Sequence, residues 1–218
     1  FCYSHFSIPG RSRVGYVGQA DVGVETRLSP QGEILVKSPA NMTGYYKEPA
    51  MSKESFTEDG FLKTGDRGEI DSEGRLRITG RVKELFKTSK GKYVAPAPIE
   101  NLLNSSPSIE MSCVSGNAQP QPYALVMLSE GLRKRLRSGN EPGLMNEVTQ
   151  TLSELRNSVN KDIEEHEHLQ FLVIVKEDWA IENGFLTPTM KLKRDVAEKH
   201  YADKLEGWYA AGKKVIVE

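Results

Sequence analysis

The apolar positions change period part-way along the chain, and that change divides the sequence in two. Up to about residue 81 the spacing is the two-residue alternation of short strands. VGVETRL places Val22, Val24, Thr26 and Leu28 on one face, and GRLRITG turns Leu76 and Ile78 inward with Arg75, Arg77 and Thr79 outward. Gln31-Gly32, Asp59-Gly60 and Glu73-Gly74 read as turns between such runs, with one short helical stretch from about Glu48 to Phe56. The expected unit is a small, mostly antiparallel, β-barrel-like subdomain.

Beyond Arg81 helices alternate with strands. Pro98 suits the first turn of a helix over IENLL that ends at Ser106-Pro107, and MSCVSG and YALVMLS read as strands. From about Glu141 to Glu165, Leu144, Val148, Leu152, Leu155, Val159 and Ile163 form one amphipathic stripe. QFLVIVKE is almost continuously apolar, as in a strand buried on both faces. A last helix begins near Leu192, with Leu192, Val196, His200 and Leu205 roughly on one face, and VIVE closes the chain. The fold class is α+β, a β module followed by a compact α+β module.

Composition narrows the function classes. A chain of 218 residues holds one large domain or two small ones, and a net charge of -1 gives no general electrostatic reason to bind nucleic acid or an anionic membrane. Cys2 and Cys113 lie far apart without metal-ligand spacing, which points to neither a disulfide framework nor a zinc site and fits a reducing, cytoplasmic setting. No run is long and apolar enough to span a bilayer; the expectation is a cytoplasmic protein whose membrane contact, if any, is peripheral and at the inner face. The opening FCYSHFSIPGRSRVGYVG lacks both a signal-peptide pattern and an initiating methionine, and reads as though it begins inside a longer polypeptide.

Three stretches could carry chemistry. In FLKTGDRGEID, the Gly-Asp pair lets the Asp66 carboxylate project with both oxygens free for two vicinal hydroxyls; a turn aspartate bonding its own backbone is the alternative. In TGRVKELFKTSKGKYVAP, Arg81 suits a phosphate or ribose contact, and Lys83 and Lys87 stand four apart. TSKGK lacks phosphate-loop spacing and reads as a hairpin turn between LFKTS and KYVAP. In LTPTMKLKR, Pro188 holds the chain extended before a helix, so Lys191 could face an anionic reacting group or, with Lys193 and Arg194, merely decorate a helix start. His166-Glu167-His168 lacks the further ligands of a metal site, and Cys113 reads as a small buried residue with no basic neighbour in sequence.

The order of these stretches, preceded by GEILVKSPANMTGYYKEP, resembles the C-terminal part of the adenylate-forming superfamily of acyl-CoA synthetases, firefly luciferase and peptide-synthetase adenylation domains. Within it, FKTSKGKYVAP and LTPTMKLKR look most like the long-chain fatty acyl-CoA ligases, and the likeness runs from about Val14 to about Tyr201. The resemblance implies that residues 1–82 are the β subdomain ending the large AMP-binding domain and residues 83–218 the mobile C-terminal lid, hinged near Lys83. It implies that Asp66 binds the ribose hydroxyls of ATP and acyl-AMP, that Arg81 contacts ribose or phosphate, and that Lys191 stabilises the adenylation transition state. Lys87 becomes a basic residue presented in the thioester step, Gly91 a loop glycine near the pantetheine channel, and Glu100 the acidic residue closing that motif; Lys193 and Arg194 then start the following helix.

The implied substrates are a fatty acid, ATP and CoA. The phosphate loop, the adenine segment and the Mg2+ ligands would lie upstream, together with most of the acyl pocket, so this portion alone is expected to be inactive. Lys90-Gly91 departs from the two glycines usual at that point. Delivery of the acyl group to a carrier-protein phosphopantetheine instead of CoA, and a non-catalytic module of the same fold, are the competing readings.

Overall fold

A computed structural model describes residues 4–218; Cys2 lies outside them. The chain forms two compact units, the first ending at Leu85 and the second running from Phe86 to Glu218.

The first unit is built on strands β1 (His5–Phe6), β2 (Gly18–Ala20), β3 (Glu25–Leu28), β4 (Glu33–Lys37), β5 (Leu62–Ile70) and β6 (Arg75–Arg81), with the short helix α1 (Pro49–Glu54) between β4 and β5. All pairings are antiparallel, in the order β1-β2-β6-β5-β4-β3. The strand-rich character is as the alternation predicts, but the sheet is open, with β1 and β3 at its edges, rather than a closed barrel. The three predicted turns form: the amides of Gly32, Gly60 and Gly74 donate to the carbonyls of Ser29, Thr57 and Asp71. Ile34, Val36 and Leu76 make a small core flanked by Val24 and Leu28. Two predicted core positions differ. Val22 is 98% exposed, because its amide donates to Asp21 Oδ1 in a turn and the strand starts only at Glu25. Ile78 is 50% exposed, next to Leu76 on the wall of a shallow apolar cavity.

The second unit comprises the hairpin strands β7 (Phe86–Lys87) and β8 (Tyr93–Val94), helix α2 (Pro96–Asn104), strands β9 (Ile109–Ser115) and β10 (Tyr123–Leu128), helices α3 (Glu130–Ser138) and α4 (Leu144–Asp162), strand β11 (Leu172–Ile174), helices α5 (Arg194–Tyr201) and α6 (Leu205–Ala210), and strand β12 (Val215–Val217). Its central sheet has the order β12-β11-β10-β9, with β11 parallel to both neighbours and β9 an antiparallel edge. The continuous apolar run does become a strand buried on both faces. Leu172 and Ile174 join one cluster with Leu144, Val148 and Leu152 of α4, while Phe171, Val173 and Val175 join another with Ala197, Tyr201 and Trp208.

The long helical stripe is shorter than its pattern, ending at Asp162 with Ile163 already extended. The preceding residues form α3, which apolar periodicity did not reveal. That helix offers only Leu132 and Leu136 to the core, and its cations are matched by Glu130, Glu110, Asp178 and Glu141. The expected last helix starts at Arg194, two residues after Leu192, and is divided into α5, which buries Ala197 and Tyr201 while His200 stays partly exposed, and α6, which begins at Leu205. No helix among the described residues is long and apolar enough to cross a membrane.

Candidate active site

Asp66 and Arg81 face each other as register partners on β5 and β6. Arg81 Nε donates to Asp66 Oδ1 at 2.9 Å, so one of the two carboxylate oxygens that the sequence reading leaves free is engaged, and Oδ2 is the second acceptor. A bulge places them: β5 needs the step from Lys63 to Arg67 to match the step from Leu35 to Glu33 on β4. The surplus residues carry Gly65 at φ +74, with its amide on Glu33 Oε1 at 3.0 Å and the Thr64 hydroxyl on the Ile34 carbonyl at 2.8 Å. Asp66 borders the apolar cavity beside Ile78, whereas Arg81 lines a cleft of about 560 Å³ with Glu33, Lys63, Thr64 and Lys83. Lys83 lies exposed in the 3-10 turn over residues 82–84 that follows β6.

In the second unit the predicted hairpin forms with Lys87 paired to Tyr93 and Phe86 to Val94. The turn closes through Thr88, whose amide meets the Lys92 carbonyl at 2.9 Å and whose carbonyl accepts the Gly91 amide at 2.9 Å. Gly91 has φ +80, a conformation that favours glycine. Lys87 is exposed, its Nζ 5.5 Å from the Tyr93 ring centroid, while its neighbours Phe86 and Val94 are buried. The hairpin is tied to the following loop by Ala118 donating to the Lys87 carbonyl and Ser89 to the Gln119 carbonyl.

Lys191 stands on a second hairpin, closed by the same pattern of backbone bonds. Leu186 bridges Leu192, the Thr187 amide donates to the Lys191 carbonyl at 2.8 Å, and the Lys193 amide donates to the Phe185 carbonyl at 2.8 Å. The Thr187 hydroxyl accepts the Lys191 amide at 3.1 Å and meets Thr189 Oγ1 at 3.0 Å, so the threonines brace the loop that Pro188 begins. Met190 turns the chain with φ +59. Lys191 is therefore exposed on an extended segment, with Phe185 and Leu186 buried behind it.

The two lysine hairpins root in different sides of one sheet. Phe86 and Val94 belong to the cluster containing Ala124, Val126 and Leu128, and Phe185 and Leu186 to the cluster containing Tyr123, Leu125 and Met127. Because successive residues of β10 point to opposite faces, the Lys87 hairpin is anchored on one face and the Lys191 hairpin on the other.

Sequence reasoning missed the partnership of Arg194 with Glu100. Arg194 Nη1 lies 2.7 Å from Glu100 Oε1 and Nη2 donates to Oε2 at 3.1 Å. Nη1 also reaches the Val114 carbonyl at 2.6 Å and Cys113 Sγ at 3.4 Å, so the fully buried cysteine has a cationic neighbour that its sequence context did not show. Only the spacing of acidic and basic residues around the two hairpins could have pointed to this pair, and across 94 positions that signal is faint.

Residues 84–213 match the model of the AMP-binding enzyme C-terminal domain. The chain belongs to that family. Members similar to it include the long-chain-fatty-acid–CoA ligase FadD15 of Mycobacterium tuberculosis, 33% identical over 90% of this chain and 34% of the relative. The peroxisomal long chain acyl-CoA synthetase 6 of Arabidopsis thaliana is 30% identical over 92% of this chain and 32% of the relative. The adenylation domain of a carboxylic acid reductase from Segniliparus rugosus, solved with AMP and a co-purified carboxylic acid, shares the fold at a TM-score of 0.71 and 24% identity, over 89% of this chain and 32% of that one. This AMP-binding C-terminal domain, with the strands before it, thus spans about a third of the length of the curated relatives it matches. Among its described residues no group of three or more His, Cys, Asp or Glu side chains is arranged to hold a metal ion.

Proposed function

We propose that this AMP-binding C-terminal domain and the β sheet before it are the C-terminal portion of an ATP-dependent fatty acyl-CoA ligase. In the first half-reaction a carboxylate oxygen bonds to the α-phosphorus of ATP as the bond to pyrophosphate breaks. Lys191 offsets the negative charge gathering on the reacting oxygens. Asp66 accepts from the ribose hydroxyls, and Arg81 both orients Asp66 and contacts the nucleotide. In the second half-reaction the CoA sulfur, losing its proton, bonds to the acyl carbonyl carbon and AMP leaves with the electrons of the mixed anhydride bond. Lys87 and Gly91 face that step, and Lys83 is the hinge about which residues 83–218 exchange one face for the other. The Mg2+ ligands, phosphate loop and acyl pocket belong to polypeptide upstream.

The observation that carries this reading is the rooting of the Lys87 and Lys191 hairpins on opposite faces of one sheet. A domain that must first supply a cation to a phosphoryl transfer and then clear the way for a thiol requires two such faces. The test is pyrophosphate release and thioester formation with fatty acid, MgATP and CoA. The polypeptide carrying this chain is expected to perform both steps, and the 218-residue chain alone neither. Turnover by the chain alone, or transfer to a carrier-protein phosphopantetheine in preference to CoA, would overturn the assignment.

A further inference from the structure

We infer that Glu100 and Arg194 are positioning residues that fasten the Lys87 and Lys191 hairpins to a single residue of the sheet edge, Val114; the inference rests on the ligase reading above. Arg194 opens α5 directly after the Lys191 hairpin, and Glu100 lies in α2 directly after the Lys87 hairpin. Their side chains are only 20% and 14% exposed. Val114 sits in β9, whose one neighbour in the sheet is β10, so a residue there has backbone groups that turn away from the sheet. Val114 is fully buried, and both groups are taken by the ion pair: its amide donates to Glu100 Oε1 at 2.8 Å and its carbonyl accepts from Arg194 Nη1 at 2.6 Å. The forked guanidinium and carboxylate thus do what a further strand would do, and they join the elements behind the two lysines to one peptide.

A simple ion pair and this arrangement behave differently when the charges are exchanged. In the double variant Glu100→Arg, Arg194→Glu the charges still attract. Each now meets the wrong backbone group, however, a donor facing the Val114 amide and an acceptor facing its carbonyl. Arg194→Lys is the milder variant, since one ammonium cannot reproduce the fork.

The test has two readouts. Amide hydrogen exchange on the 218-residue chain follows Met190 and Lys191 on one hairpin and Gly91 and Lys92 on the other. Arg194→Lys is expected to speed exchange at both hairpins by about 10-fold while Leu125 and Met127 of β10 keep their protection. In the polypeptide carrying the chain, kcat of both half-reactions is expected to fall by about 10- to 100-fold with KM for ATP and CoA nearly unchanged, and the exchanged-charge variant is expected not to recover. Loosening of one hairpin only, loss of protection spreading into β10, or recovery by charge exchange would each overturn the inference. Should the unaltered polypeptide form neither acyl-adenylate nor thioester, the ligase reading fails, and the exchange pattern still decides whether the pair fastens both hairpins.

Discussion

Arg81 reaches across β6 to β5 and donates from Nε to Asp66 Oδ1 at 2.9 Å, which makes the two residues expected to meet the nucleotide partners of one another. Their side chains are 58% and 32% exposed, and an ion pair so wetted contributes less than about 1 kcal/mol to stability. Arg81→Ala should therefore leave the urea midpoint almost unchanged. In the polypeptide carrying the chain it should weaken AMP binding by about 10-fold or more, as for a lost charged hydrogen bond. A clear fall in the midpoint with unchanged AMP titration would make the pair structural.

What the sequence made legible follows from what periodicity can register. The run FLVIV is apolar at every position because β11 is central and parallel to both neighbours, and Leu144, Val148 and Leu152 recur because one face of α4 lies on the sheet. The local sequence likewise put Lys87 on a hairpin and Lys191 on an extended segment before a helix, as the structure has them. Less was visible where pairing across the chain decides the outcome. Val22 alternates like a strand residue, but a side-chain cap on Asp21 turns it out to solvent. The cations of α3 hid a helix whose charges are matched by partners as distant as Asp178. Arg194, three residues from Lys191, looked like decoration because its carboxylate partner lies in another helix.

The proposed roles of Lys191 and Lys87 assign them to different half-reactions. Both side chains are exposed on hairpins whose anchoring residues are others, so truncation of either should leave unfolding unchanged. In the polypeptide carrying the chain, Lys191→Ala should slow pyrophosphate release by about 100-fold, the order of one lost transition-state electrostatic contact, while thioester formation from supplied acyl-AMP proceeds. Lys87→Ala should do the reverse. Equal loss of both steps in either variant would remove the division of labour.

Two glycines are predicted to fail in different ways. At Gly68 an added Cβ would stand 2.7 Å from the Arg77 carbonyl oxygen and 2.7 Å from Ile34 Cδ1, so Gly68→Ala should prise β5 from β6 and cost about 1–3 kcal/mol. At Gly91 the nearest atom would be Lys87 Cε at 3.8 Å, an ordinary contact, and the penalty is the backbone at φ +80. Gly91→Ala should cost about 1 kcal/mol, with the larger effect a raised KM for CoA. Urea unfolding and initial rates at varied CoA distinguish them; a Gly91→Ala enzyme with ordinary CoA dependence would take that glycine out of the thioester site.

Stability should decline in alkali for a reason located in the second unit. Burial pushes the phenols of Tyr123 and Tyr201 up to about 12 from an ordinary 10.0, against the opposing hydrogen bonds of Ser115 and Trp179, and burial raises Tyr209 as well. In the unfolded chain these phenols ionise near 10, so between about pH 10 and about pH 12 the unfolded state gives up protons that the folded state keeps. Stability from this source is thus complete below about pH 10 and is lost as the pH rises through about 12. For Tyr123, only 4% exposed, the loss is on the order of 2 kcal/mol. Urea midpoints followed by circular dichroism from about pH 9 to about pH 12 should fall more steeply for the unaltered chain than for Tyr123→Phe, whose ring keeps its stacking on Phe171 at 5.5 Å but has no proton to release. Parallel curves for the two proteins would show that burial does not hold the Tyr123 phenol neutral.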